Sequence, residues 1–156
     1  MAKVTRREVV MSVAAVMAAG VAEAQQPAAA PATNLASGDL AGGAKVFAMG
    51  AIAEAKQANG SARKMVFDGK LATGETISAH LSAAPAGTPA VPAHKIAHSE
   101  FIVVMEGTME FVHDGKTDIA KAGDVMYVAY GTNHQVRNVG DGVARYLVFQ
   151  MGGDTK

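Results

Sequence analysis

The chain has no cysteine and no tryptophan. Without cysteine it can form no disulfide, no thiolate metal centre and no cysteine nucleophile, so any metal must be held by histidine and carboxylate. Aromatic residues make up only 5 % of the 156 positions, too few for a platform that stacks nucleic-acid bases. Charge of one sign is missing as well. With 14 Lys+Arg against 14 Asp+Glu the formal net charge is zero, and the footprint of a nucleic-acid binder is absent. No Gly-x-Ser-x-Gly elbow and no phosphate-binding glycine loop occurs. What the chain does have is 49 % hydrophobic residues at the length of one domain, enough to bury a core.

Residues 1–24 have the three-part layout of an export signal: a basic start (Lys3, Arg6, Arg7), an apolar run, and Ala22-Glu23-Ala24 as a small-x-small cleavage site. The run is short and Ala-rich and is broken by Ser12 and Gly20, which argues against a permanent membrane span. Thr5-Arg6-Arg7-Glu8-Val9-Val10 resembles a twin-arginine signal. The expected location is therefore periplasmic or secreted, with no stable membrane anchoring after cleavage. Cleavage removes three basic and two acidic residues, so the mature chain stays near neutral. Residues 25–44 are rich in Ala, Pro and Gly and read as a flexible leader.

From residue 45 to 152 short apolar runs alternate with turn residues, which predicts a small all-β sandwich or barrel, with 153–156 as a tail. Strands are expected over 63–67 (ending at Asp68-Gly69), 77–83, 101–105, 109–113, 125–129 and 143–151. Asp114-Gly115 is a strong hairpin signal. In 77–83 the alternation puts Ile77, Ala79, Leu81 and Ala83 on one face and Ser78, His80 and Ser82 on the other, the second being the expected solvated face. Only 51–58 has any helical character. Met105, Met109, Met126 and Met151 are expected to fill the core. Tyr127, Tyr130 and Arg137 suit a pocket, barrel packing or a dimer surface equally well.

The five histidines carry the chemistry: His80, His94, His98, His113 and His134. If 94–100 stays extended, His94, Ile96, His98 and Glu100 line one side, and two imidazoles with a carboxylate make half of a metal site. His134 lies far away in sequence, and a barrel can bring it opposite. Imidazole with carboxylate suits Zn, Mn, Fe or Ni. His113, beside the Asp114-Gly115 turn, is expected to be exposed, and His98 divides between a supporting and a surface role.

At these residues the chain resembles the cupin superfamily, whose small jelly-roll β-barrels carry two motifs. His94, Glu100 and Gly107 match the first motif; Gly123, Gly131, His134 and Asn138 match the second. The first motif is also similar to that of a group of exported bacterial cupins reading His-Arg-His-Pro-His-Glu-Glu. Two positions depart: Ile96 stands where a second ligating His belongs, and Ala129 where a Pro is usual. The resemblance implies one divalent transition metal (Fe, Mn, Zn or Ni) on His94, Glu100 and His134, acting on an unidentified small molecule by dioxygenase, isomerase/epimerase or lyase chemistry. It also implies a homodimer. Because Ile96 has no lone pair, three alternatives stay open: three ligands suffice, His98 replaces the lost one, or the metal is absent. The last makes the chain a small-ligand or sugar-binding barrel without catalysis.

Overall fold

The computed structural model describes Leu40 and residues 43–153. The export signal at 1–24, most of the leader and the last three residues lie outside the described residues. Among the described residues a 3-10 turn at Met49–Ala51 is followed by ten strands. They are β1 (Ala55–Lys56), β2 (Ala62–Lys70), β3 (Thr76–Ala84), β4 (His94–Lys95), β5 (Ser99–Glu106), β6 (Thr108–His113), β7 (Lys116–Lys121), β8 (Val125–Val128), β9 (Asn133–Asn138) and β10 (Ala144–Met151).

All pairings are antiparallel and form two sheets, a six-stranded one in the order β1-β2-β3-β10-β5-β8 and a four-stranded one in the order β4-β9-β6-β7. The register aligns the inner face of the larger sheet into rows: Arg63–Ser82–Tyr146–Val104, Met65–His80–Val148–Ile102–Met126, and Asp68–Ser78–Gln150–Glu100–Val128. Apart from Glu100 on β5, the β5–β8 half of these rows is apolar. There Ile102, Val104, Met126, Val128 and Val148 pack on Met109, Phe111 and Ala120 of the smaller sheet, together with Ile96 and Ala144. Burying an aliphatic side chain of this size contributes roughly 1.5–3 kcal/mol, so this cluster is where the two sheets are held together. The β2–β3 half of the same inner face is polar.

Several sequence expectations need correction. Residues 51–58 are not helical: they hold the end of the 3-10 turn and β1, because a run of small residues with no apolar stripe gives a helix nothing to pack. Asp68-Gly69 is not a turn but lies within β2, whose register shifts between Met65 and Phe67, and the reversal comes at Leu71 and Gly74. In β3 the two-residue alternation holds but the faces are exchanged. Ser78, His80 and Ser82 are buried inside, and Ile77, Leu81 and Ala83 are part-exposed on the outer face, where Ala79, paired with Phe67 and Phe149, is buried. Met109 and Met126 are buried as expected, whereas Met105 is 56 % exposed and Met151 only part-buried. β7 and β9 had no apolar signal, since KTDIAK and NHQVRN are mostly polar.

Two local devices fix the connections around the site. Asp114 and Gly115 both have positive φ (46° and 73°), the two-residue hairpin that pairs His113 with Lys116. Gly107 joins β5 to β6 with φ +85°, and a Cβ there would lie 2.8 Å from the Ala144 Cα. Asn138 closes the same end: its amide donates to the carbonyls of Ala84 (2.8 Å) and Gly142 (2.7 Å), and its oxygen accepts from the Gly140 N–H (2.9 Å). Gly107→Ala should therefore destabilise the protein by about 2 kcal/mol or more in urea unfolding, through strain and backbone collision together. A loss indistinguishable from that of Gly140→Ala, whose Cβ meets nothing closer than 3.5 Å, would show that the close approach is not limiting.

Candidate functional site

The first histidine-rich stretch does not run as one strand. His94 and Lys95 pair with β9 in the smaller sheet, the chain crosses over at Ile96–His98, and Ser99 begins β5 in the larger sheet. The Gly131 N–H donates to the Ile96 carbonyl at 2.9 Å and ties the crossover to the β8–β9 connection. His94 and Glu100 thus come from different sheets. His94 stands directly opposite His134, with ring centroids 4.9 Å apart, but on an edge strand and exposed. Ile96, His98, Glu100 and His134 are all buried, His134 at 3 % exposure.

Glu100 is the centre of this arrangement. Its Oε1 accepts from His98 Nε2 at 2.9 Å and from Gln150 Nε2 at 2.8 Å, and its Oε2 lies 3.5 Å from His134 Nε2. Ser78 Oγ donates to Gln150 Oε1 at 2.7 Å and extends the line across β10 to β3. Burial pushes the Glu100 carboxyl up, but the hydrogen bonds from His134, Gln150 and His98 outweigh it and hold the group down at about 2. An ionised carboxylate only accepts, so the imidazole nitrogens facing it carry protons. The other ring nitrogen of His134, Nδ1, is buried with no hydrogen-bond partner.

A second polar group sits on the same inner face. Arg63 on β2 donates from Nη2 to His80 Nδ1 on β3 at 2.9 Å. Burial, with the Arg63 charge added to it, pushes His80 down to about 4, so the imidazole is neutral and accepts. Burial also lowers Arg63, against the pull of Glu100, Tyr146 and Asp68. Burial raises the Tyr146 hydroxyl, with Ser82 as its hydrogen-bonding neighbour. Arg63, Gln150 and Tyr146 were not legible as site residues. The one available signal was a pair of polar-tipped side chains on one face of an otherwise apolar strand, Tyr146 and Gln150 on either side of Val148. His113 is part-buried rather than exposed. It stacks on Phe111 at 4.3 Å and pairs with Asp118 at 2.8 Å, and it belongs to neither group.

The fit to a divalent ion can be judged from the donors. Among the described residues no three His, Asp or Glu side chains are arranged to hold one. Ile96 offers only hydrocarbon and is part of the core cluster. Both Glu100 oxygens already face donors, and an ion would displace His134 from one of them. As placed, the side chains do not fit a resident metal. The unpartnered Nδ1 of His134 lacks a contact that an ion, a water or a ligand could supply.

Residues 80–150 match the family model described as the cupin domain. No curated protein matches the chain. Solved structures with the same fold include the cupin domain of Schizosaccharomyces pombe Cnp3 (18 % identity, TM-score 0.56, covering 69 % of this chain and 73 % of that one). A protein from Thermotoga maritima described as a predicted oxalate decarboxylase is similar at 20 % identity and TM-score 0.56, over 69 % of this chain and 99 % of its own. A cupin of the RmlC-like kind from Shewanella frigidimarina is similar at 18 % identity and TM-score 0.55, over 72 % and 95 %. At these identities the likeness shows the fold, which is the cupin jelly roll.

The His80 environment sets a pH dependence. Its folded pKa lies below the ordinary value of 6.5, so the unfolded chain binds the proton first. The stability it contributes is complete above pH 6.5 and is lost as pH falls from 6.5 toward 4. Unfolding free energy measured across that window should decline in the wild type and stay flatter in His80→Gln. Parallel curves would show that His80 is not buried neutral.

Proposed function

We propose that the chain is a cupin-superfamily protein that binds a small polar molecule between its two sheets, recognising it with side chains rather than through a resident metal. The observation that supports this best is the commitment of Glu100: its oxygens serve His98, Gln150 and His134, while Ile96 fills a ligand position with hydrocarbon. The polar side chains of the inner faces, with the exposed His94 and the buried His134 at one end and the part-exposed Arg63 and Tyr146 at the other, are the contacts on offer. Cupins often bind a divalent metal. A metal on His94, Glu100 and His134, with His98 as a substitute, is the rival reading, and the unpartnered Nδ1 of His134 favours it. Dioxygenase, isomerase/epimerase or lyase chemistry belongs to that rival. Export to the periplasm or medium is proposed on residues 1–24 of the sequence alone.

Elemental analysis decides between the readings, on protein purified without chelator or metal-affinity tag and compared with His134→Ala. Well below one equivalent of iron, manganese, zinc and nickel is expected, with melting-temperature shifts from polar small molecules that EDTA does not abolish. About one equivalent of a single metal, lost in His134→Ala, overturns the metal-free reading.

We further propose that a second copy of the chain covers the outer face of the larger sheet. Phe47 packs at a tilt against Phe67, with ring centroids 5.1 Å apart, and covers the β2 end. At the β5–β8 end Phe101 and Tyr127, 4.9 Å apart by ring centroid, lie with Val125 in an exposed apolar row, Tyr127 being 53 % accessible. The row carries no charge, so two copies meet there without repulsion. The wild type should elute as a dimer and Tyr127→Glu as a monomer in size-exclusion chromatography with light scattering; a monomeric wild type refutes the dimer.

A further inference from the structure

Arg63 holds more binding capacity than the protein uses. A guanidinium has five N–H donors in one plane and keeps its charge under all ordinary conditions. Here one donor is used, Nη2 to His80, and the acceptor is a neutral ring that leaves the charge unbalanced. The Nε–H is buried with no partner. Among the described residues no carboxylate comes within ion-pair distance of Arg63, although Glu100 and Asp68 lie close enough to act on it through space. Glu100 is met by its own donors instead. Every other described arginine has a carboxylate in contact: Arg137 grips Glu110 at 2.6 and 2.9 Å, and Arg145 meets Glu106 at 3.0 Å. Those two pairs are exposed and surface-type, whereas the one arginine of the inner face goes without.

The register supplies neighbours for whatever Arg63 takes. Ser82 is its cross-strand partner and Tyr146 is the partner of Ser82, so a guanidinium and two hydroxyls line one row of the inner face. Arg63 and Tyr146 are part-exposed and flank the buried Ser82, so the row can be reached from solvent. Leaving a cation half-buried without a counter-ion costs stability. That expense is explained if the counter-ion arrives with a ligand.

We propose that the row Arg63–Ser82–Tyr146 is a subsite for a small monocarboxylate, whose head pairs with the Arg63 guanidinium while His80 holds the side chain in place. Planar carboxylate and planar guanidinium match in shape, and hydroxyls donate to the same oxygens. A single negative charge is preferred, because a dianion would also face Glu100 and Asp68. This rests on the ligand-binding reading above and names its ligand class; it does not require a metal.

The test titrates acetate, lactate and pyruvate into the full-length mature protein at constant ionic strength, with lactamide as the neutral counterpart of lactate and glucose as a neutral polar control. Two signals are read: the melting temperature and the Arg63 Nε–H resonance by NMR. At least one monocarboxylate should raise the melting temperature and move that resonance, with lactamide inert. Arg63→Met should weaken binding about tenfold or more, the scale of a charge-assisted hydrogen bond, and Arg63→Lys should restore part of it. If Arg63 serves only to balance Glu100 through space, Arg63→Met lowers the melting temperature but keeps the carboxylate response, and the proposal fails. It fails equally if lactate and lactamide act alike, or if no monocarboxylate moves the resonance in the wild type, an outcome that stands even where Arg63→Met does not fold. A response to glucose alone overturns the carboxylate subsite and leaves the ligand-binding reading in place; no response to any probe overturns both.

Discussion

A carboxylate taken out of water must find donors, and Glu100 finds its own on three separate stretches of chain. His98 comes from the crossover between the sheets, Gln150 from the last strand and His134 from the facing sheet. The full set of contacts forms only when β5, β9 and β10 are all in place, so the buried charge acts as a check on the assembled sandwich. The apolar cluster beside it supplies most of the burial energy. The carboxylate constrains how the sheets face one another, because slipping either by one residue would leave a charge buried without partners.

The inner surface is therefore divided. Ile102, Val104, Met126, Val128 and Val148 make one half dry, and Arg63, Ser78, His80, Ser82, Glu100, Gln150 and Tyr146 make the other half polar, on the same sheet and in the same registered rows. Such a division is poor economy for stability alone. It suits a sandwich that holds itself together on one side and meets a small molecule on the other. Within the polar half two settings differ in kind. Around Glu100 the donors are spent. Around Arg63 they are not.

Much of this was legible in the chain. The hairpin at Asp114-Gly115, the glycine at 107 and the spacing of Glu100, His134 and Asn138 follow from local backbone demands and from motif spacing, which sequence carries directly. The two-residue period of β3 was legible as well. Which of its faces looks inward was not, since alternation has no sign: Ser78, His80 and Ser82 are inside only because β2 and β10 bring Arg63, Gln150 and Tyr146 to meet them. Strands such as β7 and β9, whose residues are mostly polar, exist through pairing with β6 rather than through any pattern of their own.

By itself the sequence determined the all-β class, the hairpin at Asp114-Gly115 and the fact that position 96 can hold no metal, because each depends on the covalent nature of a residue or on its nearest neighbours. Only the tertiary structure decided that the first histidine stretch breaks between two sheets, that Glu100 is satisfied by His98 and Gln150, and that Arg63 lies inside without a counter-ion. Those outcomes depend on which strands pair across long separations, and on which donors then stand within about 3 Å of a buried charge, a range at which register, not composition, settles the partner.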